Sequence, residues 1–493
     1  MKKFKSRLLS FTIALAMIVP MFVLPSMAED TAPQLITSPD GYNNIEIRVT
    51  TDKEPLDYRV GDKVTFTMKV YADNVHVSVP RIRYKLEGDG DATHAKLTKE
   101  GDLYPDADGV FTLTEDVIAI PGYMRITGMI YSTNGSKWPE TPNDSRDFTL
   151  AAGIFVNYEE VYPVASRPDD FDQVWDARLA ELNAVAPKIL RIDKITKYYN
   201  SSSLKTLTGN ESYDIYAVYI DCLGCEDDIL VSDEIGNEKG ATWAVAYITV
   251  PKNKTAGSMQ IAQGFQGRGI NTATPSTSTS NIGINMSTHS VVLLDNDNAA
   301  SSTDFKNKYT SYVKNGAQYG SDAESNSSLE TCYWANMLLR DVQMLRFAKQ
   351  AFGSEGAAGL VDSNTKINGM TEAELTSVLN YWKGLYNGKI STSGGSQGGF
   401  QALCTAALDT DVVFVNAQIP SMADNYINTD QKRVQCNTRP QAGEALRYVE
   451  TSFLARRIKA SVSITAGLND NTCAPLGVMC IWNSLVEIGR AHV

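Results

Sequence analysis

Histidine is scarce in this 493-residue sequence: four occur, at His76, His94, His289 and His492. A reaction that needs an imidazole base can draw it from these positions alone. The seven cysteines are scattered, and only Cys222 and Cys225 form a CxxC pair. A zinc site needs a second ligand pair at matching spacing, and none follows, so the pair reads as a local disulfide or two free thiols, and no metal or cofactor is expected. Positive charge is also short, 45 Lys and Arg against 57 Asp and Glu. Beyond the first 28 residues no run approaches the roughly 18 uninterrupted apolar residues that a membrane span needs.

Those first residues have their own pattern. Lys2, Lys3, Lys5 and Arg7 precede an apolar stretch from Leu8 to Leu24, and Ser26-Met27-Ala28 follows. A basic start, an apolar middle and small residues before a cut site make a secretory signal peptide over residues 1–28, so the chain is expected outside the cell or on its envelope. Cleavage removes four positive charges and no negative ones, taking the formal net charge from −12 to −16. Such a surface repels nucleic acid and suits a neutral substrate such as a polysaccharide.

The length suits two domains. From Ile45 to about Tyr162 apolar residues alternate in short runs, Ile45, Ile47, Val49 and then Val64, Phe66, Met68, Val70, with turn signals such as Gly88-Asp89-Gly90-Asp91 between them. Period-two runs at that spacing predict an immunoglobulin-like β-sandwich over residues 29–160. At Arg167-Pro168-Asp169-Asp170 the pattern changes. Pro at a first helical position and acids in the first turn predict a helix start, and Phe171, Trp175, Leu179 and Leu182 mark its apolar stripe. Strand-like and helix-like runs then alternate: Trp243–Val250, Ser290–Leu294, helical Trp334–Ala348, Lys389–Thr392, Val412–Val415 and Val462–Thr465. That alternation predicts an α/β domain with a mostly parallel sheet over residues 161–493. The polar stretches Thr272–Ser280 and Ser301–Ser328 read as loops.

The strongest local signal is Ile390-Ser391-Thr392-Ser393-Gly394-Gly395-Ser396-Gln397-Gly398-Gly399-Phe400. A strand, Gly-x-Ser-x-Gly and a helix-compatible run have the form of a nucleophile elbow, in which the glycines leave room for neighbouring backbone and Ser396 projects from the sheet edge. A serine at a helix N-terminus also turns the Gln397 N–H toward a developing oxyanion. After a later strand, Ser461 to Thr465, the loop Gly467-Leu468-Asn469-Asp470 offers Asp470 as the triad acid, or alternatively as a cap for the helix near Pro475.

With these residues in view, the sequence resembles the acetyl xylan esterase and cephalosporin C deacetylase family of carbohydrate esterases, which are α/β-hydrolases. Arg167 to Asp172 with Trp175 is similar to the family's opening helix, Gly394 to Gly399 to its Gly-Gly-Ser-Gln-Gly-Gly elbow, and Asp470-Asn471-Thr472-Cys473-Ala474-Pro475 to its Asp-x-x-Cys-Pro-Pro loop. Gly264-Phe265-Gln266-Gly267-Arg268-Gly269 is similar to the loop after the third strand, and the resemblance implies that the Phe265 N–H completes the oxyanion hole. Read without the family, the same glycines permit a tight turn. The family's Arg-Gly-Gln motif is absent, and Asp295-Asn296-Asp297-Asn298 stands in its place. Those acids do not make a calcium loop either, because Ala300 and Lys306 occupy the positions where an EF-hand has Gly and Glu.

The resemblance implies a serine carboxylesterase removing acetyl groups from acetylated xylan or xylo-oligosaccharides. Its Ser396 would attack, Gln397 and Phe265 would hold the oxyanion, and Asp470 would orient a histidine. Chain order puts that histidine after Asp470, beyond one more helix and strand, and His492 follows the helix too closely to serve. Residues Ile488 to Val493 also equal the translation of a common short-read sequencing adapter ending in a stop codon. The natural frame is therefore expected to continue past Glu487 into the missing strand and base. Two other readings fit the same elbow: a prolyl-oligopeptidase-type serine peptidase, and a non-catalytic glycan-binding protein on the hydrolase fold. The expected partner is an acetylated carbohydrate, with no nucleic acid and no membrane span in the mature chain, and the sequence carries no sign of oligomeric state.

Overall fold

The computed structural model describes residues 32–138, 148–200, 203–223, 243–268, 273–287, 325–424, 433–434 and 443–487. The segment expected to be a signal peptide, the Ser290–Leu294 run, Asp295 to Asn298, Cys225, His289 and His492 lie outside these residues.

The N-terminal strands are β1 (Ile45–Thr51), β2 (Lys63–Ala72), β3 (Val75–Val77), β4 (Arg81–Gly88), β5 (Leu97–Leu103), β6 (Phe111–Asp116), β7 (Gly122–Tyr131) and β8 (Thr149–Val156). They form two four-stranded antiparallel sheets, β1-β2-β3 with β6 also on β2, and β5-β4-β7-β8. The alternation in β2 dictates its facing: Val64, Phe66, Met68 and Val70 are fully buried, and Thr65, Thr67 and Lys69 point away. They share one core with Ile82, Leu86, Met124, Ile126 and Ile154 from the other sheet.

The helix expected from Pro168 begins instead at Phe171: α1 (Phe171–Ala184) takes Asp170 as its N-cap position, and Pro168 lies in the approach, its carbonyl accepting the Phe171 N–H at 3.2 Å. Proline's locked ring is equally at home in the turn before a helix. The apolar stripe is as expected, with Phe171, Trp175 and Leu182 fully buried and Leu179 packed at the margin.

The strands that follow are β9 (Ile189–Ile195), β10 (Lys197–Asn200), β11 (Ser203–Thr206), β12 (Tyr213–Asp221), β13 (Trp243–Pro251), β14 (Met259–Phe265), β15 (Asn281–Met286), β16 (Lys366–Asn368), β17 (Tyr386–Gly395), β18 (Val412–Gln418) and β19 (Ser461–Thr465). All but the β10–β11 hairpin join one nine-stranded sheet, in the order β16-β9-β12-β13-β15-β14-β17-β18-β19. From β15 through β14, β17 and β18 to β19 every pairing is parallel, while β13 runs antiparallel to both neighbours. Five of its eight pairings among the described residues are parallel, β9 with β16 among them, so the sheet is mostly parallel as expected, with the antiparallel pairings confined to β9, β12, β13 and β15. The inverted β15-β14 order beside an antiparallel β13 is the arrangement of an α/β-hydrolase sheet. Every residue of β13 is buried, as a strand covered on both faces must be.

The remaining α-helices among the described residues are α2 (Tyr333–Phe352), α3 (Glu372–Trp382), α4 (Gln397–Leu408), α5 (Thr451–Ala455) and α6 (Pro475–Glu487). All twelve residues of α4 are buried, which places that helix at the centre of the domain. Among the described residues no helix is long and apolar enough to cross a membrane.

Candidate active site

Ser396 occupies the junction between β17 and α4 with φ 56° and ψ −119°, a conformation that an L-residue rarely adopts and that costs roughly 1–3 kcal/mol. The surroundings hold it there. Its N–H donates to the Gln418 carbonyl at 2.9 Å, and its carbonyl accepts the N–H groups of Ser421 and Phe400, each at 3.1 Å. The segment leaving β18 is itself strained, with positive φ at Ile419, Met422 and Asp424.

Close approach constrains Gly394, Gly398 and Gly399 of the elbow, and at Gly398 it reaches across to β14. A Cβ on Gly398 would lie 2.5 Å from the Phe265 carbonyl oxygen and 2.8 Å from that of Gln266, so the end of β14 and the start of α4 meet backbone to backbone. Gly395 is different, because a Cβ there meets nothing nearer than 3.9 Å. Parallel pairing sets Phe265 beside Gly394, two positions before Ser396, and Gln397 follows Ser396 directly. Gln397 opens α4, so its N–H has no intrahelical partner.

Asp470 stands in the loop after β19. One carboxylate oxygen accepts the N–H groups of Thr472 and Cys473, each at 2.7 Å. These amides precede α6, so the carboxylate braces its own turn rather than capping the helix. The Cys473 thiol lies 3.3 Å from the Ser396 hydroxyl, which puts the Asp470 loop against the elbow. Ser396, Phe265 and the Asp470 loop all stand at the carboxyl ends of parallel strands, where open α/β sheets bind ligands. Of the histidines, His76 lies in β3 and His94 in the sandwich just before β5, so the described residues bring no imidazole to this edge. Among the described residues no group of three or more His, Cys, Asp or Glu could hold a metal ion.

A buried polar layer supports α4 from behind. The Gln401 amide donates to the Asp341 carboxylate at 2.7 Å, and Gln263 donates to the Asp341 carbonyl at 3.0 Å. Burial pushes the Asp341 carboxyl up to about 8, against the Gln401 hydrogen bond and the charge of Arg340. In the CxxC pair, burial likewise pushes the Cys222 thiol up to about 12. Neither the Cys473 contact nor this layer was foreseen; the Cys473 position in the quoted motif was the available signal for the first.

Residues 373–490, which include both the elbow and the Asp470 loop, match the family described as acetyl xylan esterase. Over 107 residues the chain is 34% identical to the acetyl esterase Axe7A of Xylanibacter ruminicola, a match spanning 20% of this chain and 24% of that protein's length. Among solved structures, acetyl xylan esterase 1 of Thermoanaerobacterium sp. aligns at 16% identity, covering 66% of this chain and 87% of that one at a TM-score of 0.41. Acetyl xylan esterase of Paenibacillus sp. R4 aligns at 17% identity, covering 66% and 88% at a TM-score of 0.41. The resemblance carried by the motifs is therefore borne out where the chemistry would reside: on its α/β-hydrolase sheet, the chain is similar over residues 373–490 to the acetyl xylan esterases.

Proposed function

We propose that the protein is an exported serine carboxylesterase that removes acetyl groups from acetylated xylan or xylo-oligosaccharides. The observation that carries this reading is the strained Ser396 backbone at the head of α4, with the Asp470 loop against its hydroxyl side. A strain held by hydrogen bonds on both sides of the serine has no packing purpose of its own, and it aims Oγ out of the sheet edge. In the proposed reaction Ser396 attacks the acetyl carbonyl and gives its proton to the histidine expected beyond Asp470, which Asp470 orients; the N–H groups of Gln397 and Phe265 stabilise the oxyanion, the sugar hydroxyl leaves with that proton, and water then cleaves the acetyl-enzyme to acetate.

The same proposal takes residues 29–160 as an immunoglobulin-like sandwich and residues 161–493 as the hydrolase domain. The strand orders β1-β2-β6 and β5-β4-β7-β8 support it, since the chain changes sheets at β3–β4, β5–β6 and β6–β7, as in a Greek key. Export rests on the charge and hydropathy pattern of residues 1–28.

The test is acetate release from acetylated xylan and from p-nitrophenyl acetate by the protein expressed from its natural reading frame, and by Ser396→Ala in that protein. The substitution is expected to remove at least about a thousandfold of the rate. Cleavage of peptides in preference to acetyl esters would establish the peptidase reading instead. Glycan binding that survives Ser396→Ala, with no acetate released by either protein, would establish a non-catalytic one.

A further inference from the structure

We propose that the β-sandwich is part of the catalytic apparatus, with Tyr123 and Arg125 acting as positioning residues for the loop that bears Asp470. This rests on the reading of Asp470 as the triad acid. Period-two facing makes the arrangement possible. In β7 and β8, Met124, Ile126, Leu150 and Ile154 point into the sandwich core, so Tyr123, Arg125, Ala151, Gly153 and Phe155 point the other way. That outer face meets the hydrolase domain.

Three hydrogen bonds cross to the loop. The Tyr123 hydroxyl donates to the Leu468 carbonyl. The Asn469 side-chain amide donates to the Ala151 carbonyl at 2.7 Å, and the Arg125 guanidinium donates to the Asn471 side chain at 2.7 Å. The residues gripped, 468, 469 and 471, bracket Asp470. Gly153 shows how close the approach is, because a Cβ there would lie 2.5 Å from the Tyr123 hydroxyl and 2.6 Å from the Leu468 carbonyl oxygen.

Arg125 is itself held. Its Nε and second Nη donate to one oxygen of Glu87 at 3.1 and 2.9 Å. Burial opposes ionisation of Glu87, but hydrogen bonds from Arg125 and Lys85 and the charges of Arg125 and Lys96 outweigh it and leave the carboxyl at about 2. Below the hydrogen bonds, Tyr123, Phe155 and Val161 pack with Val434, Leu476 and Cys480 in a shared apolar cluster. A rigid scaffold strand thus reaches a loop whose far side touches Ser396 through Cys473. A spacer or a tethered binding module would have no use for this contact.

The experiment uses the protein expressed from its natural reading frame with Tyr123→Phe, Arg125→Met, the double variant and Arg125→Lys, beside Ser396→Ala. Hydrogen exchange at the Thr472 and Cys473 amides reads the loop, and kcat and KM on p-nitrophenyl acetate read the chemistry. In the double variant, exchange at both amides is expected to quicken at least about tenfold and kcat to fall about tenfold at constant KM, with Arg125→Lys recovering part of each. Tyr123→Phe keeps the ring in the apolar cluster, so the fold should persist. Unchanged exchange, or quicker exchange with unchanged kcat, overturns the positioning role and leaves the esterase reading standing. A wild-type chain no faster than Ser396→Ala overturns that reading, and the positioning role with it.

Discussion

Ser396 is fixed by the sheet it stands on, whereas the loop carrying Asp470 is fixed from a different domain. Around the serine, restraint comes from Gln418 and Ser421 just beyond β18, from Phe400 one turn along α4, and from the backbone of Phe265 and Gln266 at the end of β14. Around the acid, restraint comes from Tyr123, Arg125 and Ala151, more than 300 residues earlier in the chain. The difference teaches that a strained backbone needs close-packed neighbours on its own sheet. A loop needs only a stiff surface to lean on, and any packed sheet can supply one.

If the elbow depends on backbone contact, its glycines should differ sharply in tolerance. Gly398→Ala sets a Cβ against two carbonyl oxygens that belong to strand ends and cannot swing aside. Esterase activity is expected to fall at least about a hundredfold, with a clear drop in Tm. Gly395→Ala, with nothing nearer than 3.9 Å, is expected to keep activity within about twofold. Equal damage from both would break the account of the elbow.

The acid side should respond to the interface core instead. Leu476, fully buried in the first turn of α6, lies in the cluster that joins the two domains. Leu476→Ala is expected to cost about 2–5 kcal/mol. If the sandwich is bound in as tightly as the loop contacts imply, calorimetry will show one transition that moves down as a whole. Two transitions, with only the hydrolase one displaced, would mean that the domains lean on each other without sharing stability.

The same contrast governs what could be read from sequence. The elbow was legible because its strand, glycines, serine and helix are contiguous, and the stripe of α1 and the alternation in β2 were legible for the same reason. The Pro168 helix start failed by three residues because proline suits a turn as well as a first helical turn. In the sheet, β9, β12, β14, β15 and β16 were not among the marked runs; in β9, Ile189–Ile195 mixes charges into a strand whose Arg191 and Asp193 are buried as a pair. No local pattern announces that Ile419, a β-branched residue, sits at positive φ. Nor could sequence show that the outward face of β7 and β8 meets a loop more than 300 residues away, because alternation says which residues leave the core and nothing about what receives them.

The smallest effect sharpens the comparison most, because it probes the interface through charge alone. Asp89 is buried where the sandwich meets the hydrolase domain, and its two oxygens accept the N–H groups of Val434 at 2.6 Å and Tyr123 at 2.8 Å. Burial pushes its carboxyl up to about 6, against the Arg433 charge and those two hydrogen bonds, while the Asp424 charge adds to the rise. In the unfolded chain the group titrates near 3.9. The folded state therefore holds its proton more tightly. The resulting stability is fully present below about pH 4 and is lost as pH rises through about 6, by at most about 3 kcal/mol. Glu87 acts in the opposite sense, contributing stability above about pH 4.5 that is lost as pH falls through about 2, so the two windows meet only near pH 4. Asp89→Asn can accept only one of the two amides, which removes about 1 kcal/mol at low pH. It should also flatten the fall in Tm between pH 4 and 6. An unchanged slope would show that the charge at Asp89 is not felt by folding, and that the hold of the sandwich on the acid side is apolar contact and neutral hydrogen bonds alone.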